Sequence, residues 1–213
     1  MTASSQCPSF ISSIPDILTH DESMNSKINQ IIHNLWEFCR WTQVPCISVN
    51  TEVFLRKILE ERKPKHVLEI GTAYGYGMLF MANIICKWWW SIIWCERAYP
   101  NRVEIQKLLA LCKQYGLNNI DCRYGGFLKL NPSVRENKVF DFVFIDAQKS
   151  EYPEYLKYLL EHKLINENTA LLFDDAIKYE ERMTGLDLEL EQLWYHIKKH
   201  QLDEDDGVIL ARK

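Results

Sequence analysis

Two apolar runs in this sequence end abruptly in carboxylates, and these residues have the types and spacing that could do chemistry. FDFVFI leads into Asp146, with Lys149 three residues later, and TALLF leads into Asp174 and Asp175. Carboxylates can accept hydrogen bonds and bind cations, and a lysine can act as a base when its surroundings depress its pKa. An acidic residue after a single strand is ordinarily a loop residue or a helix cap, so these residues must be placed on structural elements before a role is assigned.

The elements that must position these residues alternate along the chain. Apolar runs predict the strands, and stretches with helical periodicity predict the helices between them. The predicted strands are 66–70, 91–95, 119–123, 139–145, 169–173 and 207–212, and the predicted helices are 28–38, 51–61, 76–86, 101–115, 151–160 and 186–200. Strands that alternate with helices imply one parallel sheet with helices on both faces.

The carboxyl ends of parallel strands share one edge of the sheet, and ligands bind there near the switch point of strand order. Carboxylates after four separate strands therefore favour one shared site over four unrelated loop residues. The residues that this edge should gather are Glu69, Gly71, Glu96, Gly125, Asp146, Lys149, Asp174 and Asp175.

A glycine-rich turn follows the first predicted strand, in the sequence VLEIGTAYGYG. Gly71, Gly75 and Gly77 permit a tight strand-to-helix turn and the close approach of a ligand. Such a turn is a weak signal alone, and the absence of G-x-G-x-x-G counts against a dinucleotide dehydrogenase. Glu96, after the second strand, suits a ribose because one carboxylate can accept hydrogen bonds from both hydroxyls.

Composition limits the class of protein. The 213 residues predict a single domain, residues 1–213, and the net charge of −4 without a basic run argues against a nucleic-acid partner. The seven cysteines show no C-x-x-C pair, and the N-terminus lacks a signal-peptide pattern, so we expect a reduced, cytoplasmic protein. The apolar stretch 78–95 contains Lys87, which favours a helix, a connection and a strand over a membrane span.

Five motifs together resemble a known family. VLEIGTAYGYG, CERAYPNR, RYGGFLKL, FIDAQKSEY and LLFDDAI occur in the order and spacing of class I S-adenosylmethionine-dependent O-methyltransferases of the metal-dependent catechol and caffeoyl-CoA type. The resemblance covers residues 47–213 and leaves 1–46 as an N-terminal helical extension. It implies a Rossmann-like α/β sandwich whose mostly parallel sheet has an antiparallel C-terminal strand.

The resemblance also implies roles for individual residues. Lys149 would be the catalytic base, with Asp146 beside it, and Asp146, Asp174 and Asp175 would bind Mg²⁺, or else Mn²⁺ or Ca²⁺. A hard cation held by carboxylates can chelate two adjacent hydroxyls and lower the pKa of one of them. The implied contacts of S-adenosylmethionine are Ile47, Ser48, Glu69, Gly71, Tyr76, Gly77, Glu96, Gly125, Gly126 and Asp146.

The implied reaction is methyl transfer to a small catechol-like or phenolic acceptor, without a nucleic-acid or membrane partner and with a homodimer as one expected assembly. Asp175 stands where the family usually has asparagine, and Gln148 replaces an aromatic wall of the acceptor site. Gly77 and Gly126 replace side chains that hold the cofactor in relatives, so Gly77→Ser is expected to tighten cofactor binding. HQLDEDD leaves little room for a penultimate strand. Gly77, Gly126 and the short C-terminal segment motivate an alternative, a cofactor-binding protein of the same fold with weak or no catalysis.

Overall fold

The computed structural model describes residues 24–86, 91–96, 102–129, 139–183, 185–193, 196–204 and 207–212. Its centre is a seven-stranded sheet in the order β3-β2-β1-β4-β5-β7-β6. The first five strands are parallel, β7 is antiparallel to β5, and β6 is antiparallel to β7. The strands are β1 (His66–Ile70), β2 (Ser91–Glu96), β3 (Ile120–Tyr124), β4 (Phe142–Ile145), β5 (Ala170–Phe173), β6 (His196–Gln201) and β7 (Gly207–Arg212). The predicted mostly parallel α/β sheet is confirmed.

Strand order reverses between β1 and β4. The chain runs outward from β1 to β3, then returns to place β4 on the other side of β1 and continues to β5. The two central strands end level with each other, because Ile70 pairs with Ile145. The residues that follow β1 and β4 therefore flank the crevice where ligands bind in this architecture.

Helices cover both faces of the sheet, as predicted. Successive side chains of a strand point to opposite faces, so Val67 joins one core while Leu68 and Ile70 join the other. The first core contains residues of α1 (Met24–Thr42), α2 (Val49–Arg62), α3 (Tyr76–Ile85) and α4 (Arg102–Gln114), and the second contains residues of α5 (Tyr152–Glu161) and α6 (Leu186–Gln192).

Helix α1 is longer than the predicted helix, residues 28–38. Its buried side chains recur every three or four residues, which gives the helix one apolar face that packs against α3. These side chains are Ile28, Ile31, Ile32, Leu35 and Cys39. The described half of the predicted extension, residues 24–46, is thus one helix of the core and its connection to α2, while residues 1–23 lie outside the described part.

The predicted helix 186–200 is wrong in its second half. Helix α6 ends at Gln192, and His196–Gln201 is the edge strand β6, paired with β7 along its length. Only Ile197 and His200 are half-buried in this strand, one on each face, because the strand lies at the edge of the sheet. Lysines are common on such edges, since they discourage pairing with another chain. The expectation that no penultimate strand fits is therefore also wrong.

Within the described ranges, no helix combines the length and the apolar character that crossing a bilayer requires. The apolar stretch 78–95 divides as predicted, since α3 ends at Ile85 and β2 begins at Ser91. The tryptophans 88–90 between them lie outside the described residues.

Candidate active site

A cavity of about 400 Å³ opens at the carboxyl ends of the central strands. This volume is in the range of small-molecule sites. The structure brings most of the sequence-predicted residues together in its lining. Those residues are Ile47, Glu69, Gly71, Tyr76, Gly77, Gly125, Gly126, Asp146, Lys149 and Asp175.

The turn after β1 touches the loop after β4, and Gly71 makes this contact possible. Its φ is +84°, and a Cβ atom there would lie 2.1 Å from the carbonyl oxygen of Asp146. The Asp146 amide in turn donates to the carbonyl of Ile70 at 2.9 Å. Because the turn then leads into the N-terminus of α3, backbone N–H groups of this helix face a site suited to an anionic group.

The Glu69 carboxylate packs directly against Gly77 beneath this turn. Glu69 is 1% exposed, and a Cβ atom on Gly77 would lie 2.3 Å from its Oε1 atom. Gly77 therefore makes room for the Glu69 carboxylate, and a serine would force that carboxylate to move. This contact opposes the expectation that Gly77→Ser simply adds a cofactor contact.

Tyr76 and Ser48 make contacts within the protein. The Tyr76 hydroxyl donates to Glu52 Oε1 at 2.6 Å, and burial, reinforced by this hydrogen bond, raises the pKa of Tyr76. Burial also raises the pKa of Glu52. Ser48 caps α2, since its hydroxyl accepts from the Thr51 amide at 3.0 Å. Unlike Ile47, Ser48 is not in the cavity lining, so its contact with a cofactor stays a prediction.

Three aspartates converge beside the cavity, and two of them, Asp146 and Asp175, belong to its lining. Asp146, Asp174 and Asp175 follow the paired strands β4 and β5, and one carboxylate oxygen of each lies within 4.8 Å of the others. Oxygen ligands at about 2.0–2.6 Å from one cation can be at most about 4–5 Å apart. The three carboxylates therefore fit a single hard cation such as Mg²⁺, Mn²⁺ or Ca²⁺.

The two adjacent aspartates are held by different means. Asp174 is 5% exposed, and its Oδ1 accepts a hydrogen bond from the Thr51 hydroxyl at 3.2 Å. Asp175 has φ +53°, a left-handed conformation that aspartate and asparagine adopt more readily than other side chains. Aspartate and asparagine both fit the backbone conformation at position 175.

Lys149 lies among these carboxylates as a buried cation. Its Nζ atom is 2.9 Å from Asp146 Oδ1 and 3.4 Å from Asp175 Oδ2, and its side chain is 11% exposed. Burial lowers the pKa of Lys149, but the carboxylates of Asp146 and Asp175 and the hydrogen bond to Tyr152 raise it more, so the net shift is upward. In this arrangement Lys149 is protonated and balances part of the acidic charge.

Tyr152 is a residue of the site that the sequence reasoning missed. Its fully buried hydroxyl accepts from Lys149 Nζ at 2.9 Å and shares its proton between the carbonyls of Ile145, at 3.0 Å, and Asp174, at 3.1 Å. One hydroxyl therefore ties Lys149 to the ends of β4 and β5. The spacing of three residues from Lys149, one helical turn, is the signal that could have found it.

Helix α1 and the connection between α1 and α2 each add one cysteine, Cys39 and Cys46, to the cavity lining. The Cys39 thiol donates a hydrogen bond to Cys46, which lowers the pKa of Cys46 and raises that of Cys39. No spacing rule in the sequence connects this pair with the strand ends. Further lining residues that the sequence reasoning missed are Phe127, Tyr155, Tyr179 and Arg182.

Glu96 is the last residue of β2, level with Tyr124 at the end of β3, so its backbone reaches the same sheet edge. Its side chain lies outside the part of the chain that the structure describes, and its predicted contact with ribose stays a prediction. Gly125 and Gly126, which follow β3, line the cavity as expected.

Comparison with known sequences assigns the chain a family and relatives. The sequence model of a family described as O-methyltransferase matches residues 22–213. O-methyltransferase ankF of Aspergillus thermomutatus is 32% identical over 120 residues, which cover 56% of this chain and 49% of ankF. The catechol O-methyltransferase of Niastella koreensis is 30% identical over 140 residues, which cover 63% of this chain and 61% of that protein. The chain thus spans between about half and three fifths of the length of these relatives.

Two solved structures share the fold. An O-methyltransferase from Bacillus cereus in complex with SAH (S-adenosylhomocysteine) gives a TM-score of 0.64 at 20% identity, covering 95% of this chain and 96% of that chain. The second structure is TomG of Streptomyces achromogenes, an O-methyltransferase involved in tomaymycin synthesis and solved in complex with SAM (S-adenosylmethionine). It gives a TM-score of 0.64 at 21% identity, covering 100% of this chain and 99% of that chain. Both likenesses confirm the predicted Rossmann-like sandwich.

Proposed function

The chain belongs to the O-methyltransferase family, and we propose that it transfers a methyl group from SAM to a hydroxyl of a small catechol-like or phenolic acceptor with the help of a divalent cation. One observation carries the proposal. A single cavity is lined by the glycine turn and Glu69 at one end and by Asp146, Lys149 and Asp175 at the other, where Asp174 completes the aspartate cluster. A cofactor held at the first end would point its reactive group toward an acceptor held at the second.

The residues at the first end fit SAM. Gly71 presents no side chain at its tight contact with Asp146, and the α3 N-terminus can receive the carboxylate of the methionine moiety. The carboxylates of Glu69 and Asp146 complement the positive charges of its ammonium and sulfonium groups. Ile47, Gly125 and Gly126 would pack against the nucleoside, and Glu96 would accept hydrogen bonds from the ribose hydroxyls.

The residues at the second end fit a divalent cation, which Asp146, Asp174 and Asp175 would hold. When bound, the cation would supply a Lewis acid that lowers the pKa of one of two adjacent hydroxyls. Lys149 Nζ is the group that can take the hydroxyl proton once its carboxylate partners no longer hold it as a cation. The acceptor oxygen then bonds to the methyl carbon while the carbon–sulfur bond breaks, which leaves SAH.

A methyl-transfer screen with the purified full chain tests this proposal. Catechols, acyl-CoA phenolics and flavonoids are offered with SAM, after treatment with a chelator and again with added Mg²⁺. We expect transfer to acceptors with adjacent hydroxyls, and only with the cation restored. Transfer at the same rate in chelator would refute the metal role, and absence of SAM binding would refute the whole proposal.

The alternative of cofactor binding with weak or no catalysis rested on three features of the sequence. The structure provides the strand that the C-terminal region was expected to lack, and it gives Gly77 a packing role against Glu69. Gly126 alone continues to motivate this alternative. The screen separates the two functions, because a non-catalytic protein would bind SAM without methylating any acceptor.

A further inference from the structure

The chain after Asp175 continues along the acceptor end of the cavity. The Tyr179 amide donates to the Asp175 carbonyl at 3.1 Å, and the Arg182 amide donates to the Tyr179 carbonyl at 2.8 Å. A 3₁₀ helix, Glu180–Arg182, ends this segment. Tyr179 and Arg182 both line the cavity together with Asp175 and Lys149. A short run of backbone hydrogen bonds therefore connects these two side chains to the aspartate cluster.

The two cations in the lining of this end, Lys149 and Arg182, differ in their partners, and a third cation outside the lining, Lys178, has its Nζ 5.7 Å from the Tyr179 ring centroid. Lys149 is paired with Asp146 and Asp175 and is almost buried. Arg182 is exposed, and its guanidinium lies over the Tyr179 ring, 4.6 Å from the ring centroid. Among the residues that the structure describes, no carboxylate forms an ion pair with Arg182. The neighbouring Glu180 pairs instead with Lys199 at 2.7 Å.

Stacking on an aromatic ring orients a guanidinium and leaves its edge free for a planar anion. A carboxylate meets such an edge with two parallel charge-assisted hydrogen bonds. Gln148 also lines the cavity and is exposed. Its side chain is neutral, so it has no charge that would attract or repel such an anion. Tyr179 supplies at this end the aromatic surface that position 148 lacks.

We propose that the acceptor is a catechol that carries a carboxylate, which Arg182 binds while the acceptor ring packs near Tyr179. This inference rests on the proposed function and specifies its substrate class. The adjacent hydroxyls would face the aspartate cluster, and the carboxylate would face the cavity rim. A catechol that carries an ammonium group would place like charge against Arg182 and should be the poorer acceptor.

The test compares three acceptors of similar size, 3,4-dihydroxybenzoate, catechol and dopamine, with SAM and Mg²⁺. In the parent protein, kcat/KM should be highest for the acid and lowest for the amine. Arg182→Gln should lower the ratio of kcat/KM for acid over catechol by about twofold to fivefold, the scale of one exposed ion pair. Arg182→Glu should reverse the order of acid and amine.

Arg56→Gln is the matched control, because this half-exposed arginine lines a different groove and pairs with Glu60 on α2. It should keep the parent ratio. An unchanged ratio in Arg182→Gln, whichever acceptor the parent prefers, would overturn the inference while leaving the proposed function in place. If none of the three acceptors is methylated, the proposed function fails and this inference fails with it.

Discussion

At the scale of single residues, the site depends on a small network around Lys149. The lysine contacts Asp146, Asp175 and Tyr152, and Tyr152 contacts the backbone of both strands that deliver the aspartates. A bound cation and protonated Lys149 would compete for the same carboxylate oxygens. The raised pKa of Lys149 in their company therefore belongs to the protein without a cation.

Lys149→Ala should lower turnover by about 10²- to 10⁴-fold, the range for loss of a general base. SAM affinity should stay close to that of the parent, and cation affinity should be equal or higher because a competing positive charge is gone. Steady-state kinetics measures the turnover, and calorimetry measures the affinities for SAM and for the cation. Lys157→Ala is the control, since this exposed lysine lies on α5 and pairs only with Glu161 among the described residues. Activity near the parent level in Lys149→Ala would return Lys149 to a structural role.

Tyr152→Phe should lower activity or cation affinity by about 10- to 100-fold, the cost typical of losing a residue that orients metal ligands. It should also lower the free energy of unfolding by about 1 kcal/mol, because buried carbonyls lose a donor. Tyr158→Phe removes a hydroxyl from the same helix and is the control for stability alone. Equal kinetic effects of the two substitutions would contradict the positioning role of Tyr152.

At the scale of elements, the decisive contact joins the turn after β1 to the loop after β4. Gly71 and Gly185 share the left-handed conformation, with φ of +84° and +89°, but only Gly71 has atoms in the space of a Cβ. Asp146 O lies 2.1 Å from that position, whereas nothing lies within 4 Å at Gly185. Two alanine substitutions can therefore separate backbone strain from collision.

Gly185→Ala should lower the free energy of unfolding by about 1–2 kcal/mol, the cost of a left-handed non-glycine residue. Gly71→Ala should lower the free energy of unfolding by about 1–3 kcal/mol more than Gly185→Ala does, because a backbone oxygen must shift to admit the methyl group. Urea denaturation at constant m-value measures both. Equal losses of free energy in the two variants would mean that the turn after β1 and the loop after β4 can move apart at no cost. The contact between them would then not set the position of Asp146.

The elements that sequence could predict are those whose state depends on their own residues. β4 and β5 are apolar throughout and buried, and β1 is mostly apolar and buried, so their strand state and the carboxylates at their ends could be predicted. β6 has only one strongly apolar residue, Ile197, and is a strand because β7 offers it a partner. Tyr152, Cys46 and Arg182 come to the site from helices and turns, whose positions depend on packing that no local pattern records.

At the scale of the whole molecule, the cavity joins parts of the chain that are far apart in sequence. Its lining runs from Cys39 on α1 to Arg182 after β5. The two cores on opposite faces of the sheet hold these parts in register, since β1, β4 and β5 contribute side chains to both cores. Ligands that bind only the folded chain should therefore stabilise all of it, by about 2.7 kcal/mol at a concentration of 100 Kd.

The proposed function requires the three aspartates to hold one cation beside the cofactor. Anomalous diffraction from crystals grown with SAH and Mn²⁺ would locate that cation. We expect one anomalous peak with an oxygen of Asp146, Asp174 and Asp175 each within about 2.0–2.6 Å, and Lys149 Nζ displaced from those oxygens. A peak elsewhere, or SAH bound with Lys149 still between Asp146 and Asp175 at millimolar Mn²⁺, would contradict this expectation.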